Sequence, residues 1–93
     1  MRIVAEKRIQ EFIALESRAA DAMWRWVDVV ESATWGNLGD LKATFASASF
    51  VGDLTVFDVG GNKYRIAGFV HYRKQIVYIK RSGTHEEYDK WGL

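Results

Sequence analysis

Ninety-three residues are enough for one small domain around one core and too few for two. Apolar residues make up 48% and aromatic ones 14%, which excludes a disordered chain, and the lack of cysteine excludes disulfides, thiolate metal sites and a thiol nucleophile. The formal charge of +1 conceals a segregation: residues 1–46 carry six basic against seven acidic side chains, residues 47–93 seven against five. No apolar run nears the ~20 residues of a membrane span and no secretory signal is visible, so a cytoplasmic protein without a membrane partner is expected.

In chain order, Arg2-Ile3-Val4-Ala5 reads as a short strand, since adjacent β-branched residues suit a sheet buried on both faces. From Glu6 the spacing turns helical: Ile9, Phe12 and Ile13 share a stripe, with Lys7, Arg8 and Glu11 outside it. Ser17 is placed to cap a second helix reaching about Ser32. Its core stripe is Met23, Trp26, Val27 and Val30, and its solvated stripe is Arg18, Asp21, Arg25 and Asp28. Few residues separate the two helices, so they form a hairpin.

Trp35-Gly36-Asn37-Leu38-Gly39-Asp40 is a loop, with room for one helical turn after Asn37 carrying Leu38, Leu41 and Phe45. Ala46-Ser47-Ala48-Ser49 is expected to be irregular. Then the period becomes two. Residues 54–59, 63–71 and 76–82 read as a three-strand meander, joined by Gly60-Gly61-Asn62 and by Tyr72-Arg73-Lys74-Gln75. Thr84 is placed to cap a short terminal helix. The prediction is one α+β domain over residues 1–93: an N-terminal strand, a helix hairpin on one face of a mainly antiparallel sheet, the meander and a terminal helix, with the other face open.

The stretch from Val59 to His85 holds six basic residues (Lys63, Arg65, Arg73, Lys74, Lys80, Arg81) and no acidic one, with Tyr64, Phe69, His71, Tyr72 and Tyr78 interleaved. Cations gain by displacing counterions from phosphates and rings stack on bases, so this composition suits a polyanion. Solvated strand positions beside core tyrosines account for the same pattern. Alternation places Lys63, Arg65, Ala67, Phe69 and His71 on one strand face, where Lys63 and Arg65 would make a compact anion site or simply a wet face. On the next strand it groups Val77, Ile79 and Arg81 opposite Ile76, Tyr78 and Lys80.

Gly60-Gly61-Asn62 is a turn rather than a phosphate loop, because a strand and not a helix follows it. His71 and His85 lie on different elements, and His85-Glu86-Glu87-Tyr88 lacks a second histidine at helical spacing, so no metal site and no cofactor is expected. His85 and Tyr88, three apart, project the same way on a helical turn. A histidine there offers proton transfer near neutral pH, or else serves only packing or capping.

Three segments resemble motifs of the HigB family of type II toxins. They are Trp35-Gly36-Asn37-Leu38-Gly39-Asp40-Leu41-Lys42-Ala43-Thr44-Phe45, then Val56-Phe57-Asp58-Val59-Gly60-Gly61-Asn62-Lys63-Tyr64-Arg65-Ile66, and finally Gly83-Thr84-His85-Glu86-Glu87-Tyr88-Asp89-Lys90. The resemblance implies a RelE-like fold and an mRNA interferase acting on translating ribosomes. It also implies a HigA-type helix-turn-helix antitoxin, through which alone the toxin meets operator DNA. The family's basic and terminal motif residues map onto Lys63, Arg65, His85 and Tyr88.

RNA supplies its own nucleophile, the 2′-hydroxyl, so such an enzyme must orient it, move protons and neutralise the phosphorane, without a metal. Lys63 and Arg65 are the expected phosphorane stabilisers, and His85 the acid or base. Tyr88 would orient His85 or stack on a base, and Arg73, Lys74, Lys80 and Arg81 would hold RNA backbone. The competing readings are a non-catalytic RNA- or antitoxin-binding module and a degenerate toxin that keeps only antitoxin binding; both would leave messages intact.

Overall fold

A computed structural model describes all of residues 1–93. The chain begins with strand β1 (Arg2–Val4) and helix α1 (Lys7–Leu15). A 3₁₀ turn at Ser17–Ala19 leads into α2 (Ala20–Ser32), followed by α3 (Leu38–Thr44). Strands β2 (Ser49–Val51), β3 (Leu54–Val59), β4 (Tyr64–His71) and β5 (Ile76–Thr84) come next, and α4 (His85–Asp89) closes the chain. The architecture is α+β. Five strands lie in the order β1-β5-β4-β3-β2; β1 runs parallel to β5 and every other pair is antiparallel.

β1 is an edge strand with Arg2 exposed, not one buried on both faces, because only three residues pair before Ala5 turns away at φ 68°. The helical stripes do bury as their spacing requires. Ile9 and Phe12 of α1 and Met23, Trp26, Val27 and Val30 of α2 enter the core. Ser17 does not cap α2. The chain reaches α2 through the 3₁₀ turn, and Ala19 stands at the cap position without a side-chain bond.

Against these helices the sheet presents Phe57, Val59, Tyr64, Ile66, Val77 and Ile79, all at most 9% exposed. Phe57 is the hub: its ring meets Trp26 and Phe45 edge-on at 5.2 Å and lies nearly parallel to Trp35 at 6.4 Å. Trp35, read from sequence as part of a loop, is 2% exposed, and its indole N–H donates to Thr44 Oγ1 at 3.0 Å. α3 is longer than one turn because Asn37 caps it: Oδ1 accepts from the Asp40 N–H, while Asp40 Oδ2 accepts from the Gly36 N–H.

The small residues after α3 lead into β2, which pairs with β3 through the two-residue turn Gly52-Asp53 with Gly52 at φ 59°. The β3–β4 turn occupies residues 60–63, so Val59 faces Tyr64 and Asp58 faces Arg65. Gly60 and Gly61 both have positive φ, and a Cβ on Gly60 would stand 3.0 Å from the Tyr64 ring.

Two face assignments change. Lys63 lies in the turn and not on β4, so it is not a strand neighbour of Arg65. On β5, Ala67 pairs with Arg81 but Gly68 with Ile79, which leaves Lys80 as a bulge. The extra residue reverses the alternation, placing Arg81 with Tyr78 and Ile76 away from the helices while Val77 and Ile79 stay in the core. That second face is not bare. Val56 and Ala67 on it are 1% and 0% exposed, and α4 closes its Gly83 end.

Candidate active site

α4 starts where β5 ends, and its start is firmly specified. Thr84 Oγ1 accepts from the Glu87 N–H while Glu87 Oε1 accepts from the Thr84 N–H, a reciprocal capping box. The His85 N–H donates to the Lys63 carbonyl at 2.9 Å, tying α4 to the β3–β4 turn. Two segments twenty-two residues apart therefore meet at one corner of the sheet.

Arg65 occupies that corner and is 6% exposed. Its guanidinium can only donate, and both Nη atoms are hydrogen-bonded while Nε faces a carboxylate. Nε forms an ion pair with Asp58 Oδ1 at 3.0 Å. Nη1 donates to the carbonyls of Asn62 (3.3 Å) and Tyr64 (3.0 Å). Nη2 donates to Asn62 Oδ1 at 2.6 Å and to His85 Nδ1 at 2.8 Å. The Tyr88 ring lies 5.7 Å from the guanidinium carbon, in cation–π range.

The side-by-side Lys63–Arg65 anion site expected from sequence is therefore not formed. Arg65 is buried and paired with Asp58, whereas Lys63 is exposed in the turn. Lys63 and His85 instead line one open groove of about 460 Å³, with Arg18, Glu16, Thr84 and Glu86 on its walls. Arg18 pairs with Glu16 through Nε (2.9 Å) and Nη2 (3.2 Å). The Arg18 hydrogen bond holds the Glu16 carboxyl below its ordinary range, and the same bond raises Arg18.

Because a guanidinium can only donate, His85 Nδ1 must accept, and the neutral ring carries its proton on Nε2. The His85 side chain is 45% exposed, and Asp89 Oδ2 stands 3.9 Å from Nε2. The corner thus offers an N–H donor on an oriented ring and an ammonium without a side-chain partner beside it.

The other basic candidates lie apart. Lys80 sits over the Phe69 and Tyr78 rings at 5.5 and 5.7 Å, and Arg81 over Trp91 at 5.8 Å. Arg73 and Lys74 occupy the β4–β5 turn, beyond the opposite end of β4, and seven residue steps at ~3.4 Å put that end ~24 Å from Tyr64. Sequence reasoning missed Asp58 and Asn62. The four-residue turn held the signal for Asp58, since it sets Asp58 opposite Arg65.

This α+β architecture, with a histidine and a lysine gathered at one sheet corner, agrees with comparison against known families. The family of RelE-like toxic components of toxin-antitoxin systems, the HigB toxins, matches residues 19–91, and the chain belongs to it. Among characterised proteins it is similar to the "mRNA interferase toxin HigB" of Escherichia coli strain K12. The two are 40% identical over 52 residues, 53% of this chain and 50% of that protein. The "mRNA interferase HigB" proteins of Escherichia coli O157:H7 and Shigella flexneri match to the same extent. The chain spans about half the length of the curated relatives it matches.

Proposed function

We propose that this chain is a RelE-like endoribonuclease, the toxin of a type II toxin-antitoxin system, which cleaves messenger RNA on translating ribosomes. Family membership and the relatives named mRNA interferase support the reading. The observation that carries it is the groove in which Lys63 stands beside His85, with the His85 ring oriented from behind by Arg65.

RNA entering this groove brings its nucleophile with it. The 2′-oxygen attacks the adjacent phosphorus and gives up its proton, the bond to the 5′-oxygen breaks, and that oxygen takes up a proton. The products are a 2′,3′-cyclic phosphate and a 5′-hydroxyl. Lys63 supplies positive charge to the phosphorane. His85 acts at the reacting oxygens through its exposed Nε2, and Tyr88 offers a ring edge for a base or for orienting His85. Lys80 and Arg81 hold backbone leaving the corner. Arg73 and Lys74, at the far end of the sheet, engage a separate stretch of messenger or ribosomal RNA.

No helix of the chain is long and apolar enough to cross a membrane. The site of action is the cytoplasm, and the partner is a HigA-type helix-turn-helix antitoxin, through which the complex contacts operator DNA. Primer extension on cellular messages after induction tests the proposal. New 5′ ends within coding regions, persisting in chelator-treated extracts and absent for His85→Ala, are expected. Intact messages under growth arrest would leave only a binding module.

A further inference from the structure

We infer that Arg65 is a positioning residue: with Asp58 and Asn62 it holds His85 as the neutral ring protonated on Nε2, so that His85 acts by donating a hydrogen bond and not as a base. The inference rests on the RNA-cleaving reading for its consequence, but its physical core is independent of it.

Both Nη atoms of Arg65 are already bonded to acceptors of the protein, Nε is ion-paired with Asp58, which balances the charge, and the residue is only 6% exposed, so the guanidinium is not offered to a phosphate. Asn62 contributes both its carbonyl and its Oδ1, so the β3–β4 turn grips the guanidinium on two sides. Nη2 is shared between Asn62 Oδ1 and His85 Nδ1, which sets its direction toward the ring. The accepting Nδ1 lone pair is thereby consumed. The exposed Nε2 bears a hydrogen and cannot accept one.

A base is therefore missing from this nitrogen, and a donor is present. A neutral imidazole N–H aimed at an oxygen gathering negative charge stabilises that oxygen, as other enzymes use a neutral histidine to polarise a substrate oxygen. Placed at the leaving 5′-oxygen or a phosphorane oxygen, Nε2–H complements the charge of Lys63. Water supplies and removes the net protons of the reaction.

Long-range proton–nitrogen correlation spectra of the ¹⁵N-labelled protein read the ring state directly, with His85→Gln assigning the signals against those of His71. The expected pattern for His85 is a pyrrole-type Nε2 and a pyridine-type Nδ1. Arg65→Lys, which keeps the charge but not the fork, should average the two signals, and Asn62→Ala in the exposed turn should shift them the same way without touching the core. A wild-type His85 ring protonated on Nδ1, or unchanged ring signals in both variants, would overturn the clamp.

Cleavage kinetics test the donor role. His85→Gln, whose amide N–H can take the place of Nε2–H, should stay within about tenfold of wild type, while His85→Ala loses about 10²-fold or more. Asn62→Ala should lower kcat with KM and the salt dependence of RNA binding unchanged. Equal inactivity of His85→Gln and His85→Ala would sink the donor role. An Nε2-protonated ring in a protein that leaves RNA whole would uphold the clamp and overturn the nuclease reading.

Discussion

A Cβ on Gly83 would stand 2.8 Å from Cζ2 of Trp91, so the indole rests directly on the bare backbone of β5. Trp91 also meets Tyr88 edge-on at 5.5 Å and receives Arg81 at 5.8 Å. The seating of α4, and with it the direction of His85, depends on a missing methyl group.

Gly83→Ala should accordingly push Trp91 and α4 away from the sheet. RNA cleavage is expected to fall tenfold or more, with a stability loss of ~1–3 kcal/mol typical of overpacking. Removing the obstruction in Gly83→Ala/Trp91→Ala should recover much of the cleavage. Paired cleavage assays and denaturant melts check this; a double variant no better than the single one would refute the coupling.

Glu16→Gln should tighten RNA binding. The carboxylate cancels Arg18 on the wall of the groove that holds Lys63, and neutralising it releases one cation. Counterion release predicts a slope of log K against log salt steeper by ~0.7 for single-stranded RNA. Stability should hardly move, since exposed pairs contribute little. The sign follows from the lowered folded pKa of Glu16: what the pair adds is present above the ordinary carboxylate range and fades as pH falls through the lowered value. Filter-binding titrations across salt concentrations read the slope.

Tyr72→Phe should leave the protein as stable as before or more stable by up to ~1 kcal/mol. The phenolic oxygen is buried without a hydrogen-bond partner, and burial pushes the phenol above its ordinary value. Because the folded pKa is raised, the contribution is complete below the unfolded tyrosine value and is lost as pH rises through the folded one. Urea melts at neutral and alkaline pH should show the two proteins diverging in favour of Tyr72→Phe at the alkaline end.

Phe57→Ala is expected to cost ~3–5 kcal/mol, enough to unfold much of the population of a small domain. Phe57 is 0% exposed and touches three aromatic rings. Phe50, 39% exposed on β2, is the control, and Phe50→Ala should change stability by no more than ~0.5 kcal/mol. Calorimetric melts of the two variants decide the comparison.

Much of this fold is legible before any coordinates. The stripe of Met23, Trp26, Val27 and Val30 declares its buried face because a helix repeats every 3.6 residues whatever its neighbours. Thr84 announces the start of α4 because a cap acts over three residues. β2 escapes notice because three residues are too few to show alternation. The bulge at Lys80 is equally silent, and it reverses the face of Arg81.

The candidate site divides along the same line. The candidates themselves, Lys63, Arg65, His85 and Tyr88, stand in two short motifs of the sequence, and the structure gathers them at one corner. Their electrostatic roles could not be read from those motifs. Arg65 becomes buried, ion-paired and hydrogen-bonded through both Nη atoms only when β3, the β3–β4 turn and α4 converge on it, the last from twenty residues away. Periodicity, turns and caps are decided by neighbours along the chain. The number of free donors on a guanidinium is decided by whatever folding brings to it through space.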